Sequence, residues 1–258
     1  MLASPSWVVA ALAAAALAAG CGGDDEIVSD GDVAPIDSGI PDAGIDAENL
    51  CPGAATFEAF ASNLETGAAE FDIALTEVGN ESNSETSAPN GRVVLCLPSD
   101  ADVEISAEKT DYLTRVDAVL GAVASQFTPD TQPYPLFMIT QAAAEALYTD
   151  LGATFDDGDA QVVVSVLEMP DGTPLTGATV DIDKVAGDGP YARDDAGAFA
   201  PGDTIDSGGL VLFANVPLAG GDVGITVTPP DGFSGTCTGP ATLSLIAGQI
   251  SGALFACQ

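Results

Sequence analysis

The chain has 258 residues, 39 of them Asp or Glu, five Lys or Arg and none His, for a formal net charge of −34. So acidic a chain repels nucleic acid and anionic headgroups, which argues against both as partners. Without His, no Ser-His-Asp triad, Cys-His pair or His-ligated zinc site can be built.

In chain order, the first feature is an uncharged apolar run from Trp7 to Ala19. It matches a signal-peptide core and is shorter than the ~20 residues of a membrane span. It closes on Leu17-Ala18-Ala19-Gly20-Cys21. This site resembles the bacterial lipobox, in which an aliphatic and two small residues precede a lipidated Cys. It departs in having Ala18 three places before Cys21, with Leu17 one place further back, and in having no Lys or Arg in MLASPS. The resemblance implies a lipoprotein signal peptide over 1–20, with lipid, including palmitate, on Cys21. It places the mature chain outside the cytoplasm, tethered to a bacterial membrane, with the outer membrane or cell surface expected. The alternative is ordinary secretion with cleavage near Ala18–Gly20. With Cys21 assigned to lipid, Cys51, Cys96, Cys237 and Cys257 form an even set in an oxidising compartment.

Residues 21–50 are rich in Gly, Asp, Pro and Ser, with nine acids after Cys21. They show no apolar period and cannot offset chain entropy by burial, so a disordered acidic linker is expected. The other 30 acids, against five Lys and Arg, spread through 51–258 and imply a surface kept soluble by charge.

From Thr56 the pattern turns to short strands. Thr56–Ala61 and Glu70–Val78 alternate, a polar loop at 79–90 follows, and Arg92–Leu97, Val103–Ala107 and Tyr112–Val116 read as further strands. The second half repeats the order. Gln161–Leu167 is a strand, Pro170–Pro174 a turn and Ala178–Asp183 a strand. A long loop at 184–208 then leads to Leu210–Val216 and Asp222–Thr228. Gly91–Pro98 corresponds to Gly209–Pro217 with one insertion, and Pro174-Leu175-Thr176-Gly177-Ala178-Thr179-Val180 forms a turn-strand unit. These motifs resemble the carboxypeptidase-regulatory-like, or transthyretin-like, β-sandwich. The first copy departs by having Ala68-Ala69 where Pro-Leu is expected. The resemblance implies a mainly β chain of two tandem Greek-key, Ig-like sandwiches, over 51–128 and 156–258, of about seven strands each.

Between them, 129–155 reads as a helical connector. Ile139–Leu151 has helical apolar spacing, Thr140 can N-cap it and Gly152 can end it. Tyr134 and Tyr148 are expected on its contact surface. At the end of the chain, a hairpin with its loop at 246–248 sets Cys237 opposite Cys257, within disulfide reach. That leaves Cys51 with Cys96, although four cysteines allow three connectivities.

Chemistry has few candidates. Asp156-Asp157-Gly158-Asp159 and Asp181, Asp183 and Asp188 are acidic clusters, but neither fits an EF-hand loop. Asp156–Asp159 also reads as a turn opening the next strand. Tyr191 and Arg193, in the 184–208 loop, are residue types that anchor interfaces. Their alternative is Tyr191 tucked on the sandwich and Arg193 paired with a neighbouring Asp. Paired-carboxylate hydrolysis lacks a recognisable cleft. The sequence therefore points to a non-catalytic binding or adhesion module needing no cofactor and no metal, with the membrane reached through Cys21 and an envelope protein or polymer as ligand. The alternatives are a structural spacer and, more distantly, a carboxylate-dependent hydrolase.

Overall fold

Among the strands buried along almost their whole length are β8 (Ala160–Glu168) and β17 (Ile250–Cys257). Successive side chains of a strand point to opposite faces, so a strand apolar at both parities must be covered on both sides. In the computed structural model, which describes residues 50–258, these two strands run side by side and parallel at the centre of an eleven-stranded sheet. The signal segment, Cys21 and the linker up to residue 49 lie outside the described residues.

The other strands of the first half are β1 (Ala55–Asn63), β2 (Ala74–Glu77), β3 (Asn80–Thr86), β4 (Arg92–Leu97), β5 (Val103–Glu108), β6 (Arg115–Val119) and β7 (Tyr134–Met138). Those of the second half are β9 (Thr173–Pro174), β10 (Thr179–Ile182), β11 (Asp188–Arg193), β12 (Phe199–Pro201), β13 (Leu210–Val216), β14 (Val223–Thr228), β15 (Cys237–Thr238) and β16 (Thr242–Leu243). Helices are α1 (Gly121–Ala124) and α2 (Gln141–Asp150). Among the described residues no helix is long and apolar enough to cross a membrane.

The large sheet has the order β12-β11-β13-β8-β17-β6-β5-β2-β3, with β15 against β17 and β9 against β8. Two three-stranded sheets, β4-β1-β7 and β10-β14-β16, complete the sandwiches. Parity separates their cores. Along β17, Leu254 and Ala256 join the core of the first half, whereas Ala253, Phe255 and Cys257 join that of the second. The two small sheets therefore cover opposite faces of the large one. The first core centres on Phe57, Phe127 and Tyr134, with both Phe–Tyr ring centroid separations at 5.3 Å. Each such buried side chain contributes roughly 1.5–3 kcal/mol.

The mainly β architecture expected from the sequence is present, and α2 forms where the periodicity placed it. The Thr140 side chain accepts from the Ala143 N–H at 3.2 Å, and Gly152 takes φ +77° just beyond the helix end. Ala144 and Tyr148 of α2 pack against Val163, Leu210, Leu212 and Ile250 of the second half, and against Leu64 and Leu113 of the first.

Four local readings are corrected. The stretch 79–90 is not all loop, because 80–86 pairs as β3 on the sheet edge. Its polar sequence, NESNSET, suits an edge with both faces wet. The 184–208 loop contains β11 and β12. Tyr134 belongs to β7, which the neighbouring prolines concealed, and points into the first core instead of the helix contact. As an edge strand, β7 tolerates Pro135. Thr242–Ile246 does not form a hairpin with the last strand, since β16 pairs with β14 while β17 inserts between β8 and β6.

Candidate functional site

The four downstream cysteines close two disulfides, Cys51–Cys96 and Cys237–Cys257. Cys237 lies directly opposite Cys257 in the β15–β17 ladder, the register that the C-terminal sequence spacing implied, although the strand facing β17 there is β15. These thiols are thereby removed as nucleophiles or metal ligands.

The acidic residues at 156–159 line a cleft of about 470 Å³ with Gln141, Glu145, Thr154, Phe155, Gly187 and Asn215. Its floor is a closed hydrogen-bond network that the sequence did not advertise. Gln161 Oε1 accepts from the Tyr148 hydroxyl and from the Asn215 N–H. Asn215 donates through Nδ2 to the Thr154 carbonyl at 2.8 Å and to Asp188 Oδ2 at 2.9 Å, and its Oδ1 accepts from the Asp156 N–H at 3.0 Å. Asn215 adopts φ +53°, a left-handed conformation that Asn tolerates better than most residues. Burial pushes the Tyr148 hydroxyl well above its ordinary pKa, helped by Asp188 and Tyr191, so it stays a donor.

Most of the candidate calcium-site carboxylates have local structural partners. Asp156 Oδ1 accepts from the Gly158 N–H, Asp183 Oδ1 from the Gly224 N–H, and Asp181 Oδ1 from the Ile182 N–H. Asp188 is held by Asn215. Among the described residues no group of three His, Cys, Asp or Glu side chains converges to hold a metal ion.

Tyr191 and Arg193 sit on β11, both on the face of the large sheet that carries α2. Tyr191 packs among Leu210, Leu212 and Tyr148. Arg193 is 8% exposed, and its guanidinium carbon lies 5.4 Å from the Phe137 ring centroid. The remaining basic residues are all engaged. Arg92 pairs with Glu58 at 2.8 Å, Lys109 with Glu70 at 3.0 Å and Arg115 with Asp117 at 2.7 Å, while Lys184 donates to the Pro217 and Gly221 carbonyls. Arg193 alone has neither an ion pair nor a side-chain hydrogen bond among the described residues, and its Nε is buried without an acceptor. Burial lowers its pKa, with Asp194 partly opposing. The Asp pairing considered from sequence does not form, because Asp194 turns its Oδ1 to the Ala198 N–H.

A second ionic cluster lies in the first half. Arg115 and Asp117 are 1% and 0% exposed and form a fork, with Nε–Oδ1 at 2.7 Å and Nη2–Oδ2 at 2.8 Å. Burial disfavours the Arg115 cation, but the Asp117 carboxylate outweighs it and holds its pKa up. At the surface, the Lys109 ammonium lies 4.8 Å from the ring centroids of both Phe71 and Tyr112. Burial, then Glu70, pushes the Tyr112 hydroxyl up to about 12.

No family model matches the chain, and no curated protein matches it. Among solved structures, the chain is similar to GBS52, the minor pilin of Streptococcus agalactiae, at 7% identity and TM-score 0.28, covering 79% of this chain and 95% of that one. It is similar to the shaft pilin SpaA of Lactobacillus rhamnosus GG, as an E269A/D295N double mutant, at 9% identity and TM-score 0.26, covering 80% and 98%. It is also similar to the Bacillus anthracis TIE protein at 13% identity and TM-score 0.23, covering 80% of this chain but 34% of that one. Likeness at this level carries neither function nor partner over to this chain.

Proposed function

We propose that the chain is a lipid-anchored, extracytoplasmic surface module of a bacterial envelope whose role is non-catalytic binding of a protein or polymer. The observation that carries this reading is the cysteine arrangement. Four of five cysteines are closed in two disulfides, which suits an oxidising compartment. The fifth, Cys21, follows an apolar run that ends in small residues. A diacylglycerol and an N-acyl chain there would anchor the chain stably, as a single acyl chain does not. The acidic stretch 22–50 would set the reach, and the two-sandwich body would present its loops and sheet edges to the ligand.

The anchor is tested by gel mobility of the full chain, made with and without a globomycin-type inhibitor of lipoprotein processing, beside Cys21→Ala. A shift with inhibitor and its absence in Cys21→Ala are expected; unchanged mobility in all samples refutes the anchor. The binding role is tested by crosslinked pull-down from the native envelope with excess unlabelled full chain as competitor. A saturable, competed partner supports the module. Only uncompeted background moves the reading to a structural spacer.

A further inference from the structure

The large sheet is covered unequally. Over the second half, the face carrying Val162 and Val164 of β8 packs with Val180, Ile225 and Leu243 of β10-β14-β16, and Ala118 on β6 lies at the margin of that core. Over the first half, Leu75, Ile105 and Ala107 turn to the other face and its core, so Thr76, Ser106 and Val116 point away from it. These three form one cross-strand row that continues to Ser251 of β17. The row floors a groove of about 450 Å³ that crosses β6, β5 and β2, from the 246–249 turn to the β2–β3 turn.

Four large hydrophobic side chains stand exposed among the described residues, and two of them, Val78 at 48% and Ile246 at 41%, line this groove. Single exposed apolar residues are ordinary; two on one groove make a patch. Both are set by backbone bonds. The Val78 N–H donates to the Glu104 carbonyl at 2.8 Å, and the Ile246 carbonyl accepts from the Gln249 N–H at 3.2 Å. The Ser251 hydroxyl donates to the Ser244 carbonyl at 2.7 Å and pins the same turn. A pre-set surface of this kind has little ordering left to lose on binding. The charged residues of the lining are Glu77, Glu81 and Glu108, with no Lys or Arg. Glu77 accepts from the Asn80 and Asn83 amides and Glu108 from the Ser106 hydroxyl, each through one oxygen, while Glu81 is exposed.

Charge selects the occupant. Residues 22–50 of this chain carry nine acids and no base, and a second copy brings a net charge of −34, so the three carboxylates repel both. A cationic segment is attracted instead. The rest of the surface is acidic too, so it is the apolar pair, Val78 and Ile246, that distinguishes this groove. We propose that the groove docks an extended segment of another protein in which Lys or Arg residues flank a short apolar stretch. The apolar side chains rest on Val78, Ile246 and the row between them, and the cations meet Glu77, Glu81 and Glu108. Neighbouring strands lie ~4.8 Å apart and an extended chain rises ~3.3 Å per residue, so a groove across three strands takes about four residues. This names a ligand class for the binding role proposed above and rests on that reading.

The test is an amide chemical-shift titration of the isotope-labelled full chain with the peptide Lys-Phe-Leu-Lys at ~0.15 M salt, where exposed charges are screened beyond about 8 Å. Glu-Phe-Leu-Glu and Lys-Ser-Ser-Lys are the charge and apolar controls. Lys-Phe-Leu-Lys is expected to bind with a Kd below ~1 mM, with shifts concentrated at Val78, Ser106, Val116 and Ile246, and both controls at least about tenfold more weakly. Glu81→Lys and Ile246→Ser, at exposed positions and checked for an unchanged thermal transition, are each expected to weaken it at least about threefold. Asp231→Lys, an equal charge change outside the groove, is expected to stay within about twofold of the parent. Shifts spread over the acidic surface, Lys-Ser-Ser-Lys binding as tightly as Lys-Phe-Leu-Lys, equal loss in Glu81→Lys and Asp231→Lys, or no binding up to ~10 mM each overturns the proposal. Repeating the envelope pull-down with Glu81→Lys separates this inference from the broader reading. A competed partner still captured in full removes the groove and leaves the binding role standing.

Discussion

Gly252 is the single glycine of β17 and pairs with Asp117 on β6 and Val163 on β8. A Cβ there would lie 1.6 Å from Asp117 Oδ1, 2.5 Å from its Cγ and 2.9 Å from Arg115 Nη2. Contacts under 3.0 Å are essentially never seen for real Cβ atoms. Asp117 cannot swing aside without surrendering its two bonds to Arg115, and both side chains are buried. Breaking such a buried pair costs about 3–5 kcal/mol. Against this, Ala is worth roughly 0.5–1 kcal/mol over Gly in a strand. Gly252→Ala should therefore lose about 2–4 kcal/mol, a large part of a typical folding stability of ~5–15 kcal/mol. The assay is urea unfolding followed by circular dichroism. With a denaturant dependence of ~2 kcal/mol per molar, the midpoint should fall by about 1–2 M. Asp117→Ala should be costly by itself, yet in the Gly252→Ala background it should cost much less, because the space has already been contested. A midpoint for Gly252→Ala within about 0.3 M of the parent, or strict additivity of the two changes, would refute the reasoning.

Two further predictions concern the staples and a half-buried cluster. Cys51–Cys96 spans 45 residues and Cys237–Cys257 spans 20, so loop-closure entropy assigns them about 4 and about 3 kcal/mol respectively. Paired Cys→Ala variants should lose stability in that order by urea unfolding, and the reverse order would show that native-state terms dominate. Lys109→Met tests the Glu70 cluster. Burial alone would raise the Glu70 pKa, but hydrogen bonds from Tyr112, Lys109 and Asn63 outweigh it and hold the value below 4.5. A carboxylate with a depressed folded pKa contributes stability that is full above its unfolded value and is lost as pH falls through the folded one. The parent-minus-variant difference, up to ~1 kcal/mol, should be present at pH 6 and shrink below pH 4.5. A difference that grows on acidification would contradict the assignment.

Much of the fold was legible because it is encoded locally. Alternation in Val103–Ala107 predicted a strand, and Ile105 and Ala107 are buried while Glu104 and Ser106 are only half-buried. Thr140 and Gly152 marked the ends of α2 for capping reasons alone. What escaped was set by distant partners. Asn80–Thr86 has no apolar face to betray it and becomes a strand only because β2 offers a paired edge. Tyr134–Met138 is flanked and interrupted by prolines, and pairs with β1 seventy-odd residues upstream in a parallel register. Of the candidate site, the cysteine pairing could be argued from spacing, and Tyr191 and Arg193 stood out by residue type. Gln161 and Asn215 did not, because a polar residue in QVVVSVL or LVLFANV looks like an ordinary strand position. Only the fold brings them together, with the Asn215 N–H donating to Gln161 Oε1 at 2.9 Å.

The strand that unites the two halves is also the one whose register needs the most specification. A one-residue slip of β17 would turn Leu254 and Ala256 toward the second core, and Phe255 and Cys257 toward the first. Both cores accept apolar side chains, so hydrophobicity alone discriminates weakly between the two settings. The Arg115–Asp117 fork discriminates strongly. It occupies the space above β17 at one point, and only Gly252, of the eight residues in Ile250–Cys257, leaves that space empty. A slip in either direction would put Ser251 or Ala253 against the buried carboxylate. The far end is fixed by Cys257, which can reach Cys237 only from its observed pair position. A buried ion pair is poor evidence of net stability, but one opposite a unique glycine is well placed to fix alignment. On this argument the fork and the C-terminal disulfide act together. They hold in one register a strand that contributes alternate side chains to two cores on opposite faces of the same sheet.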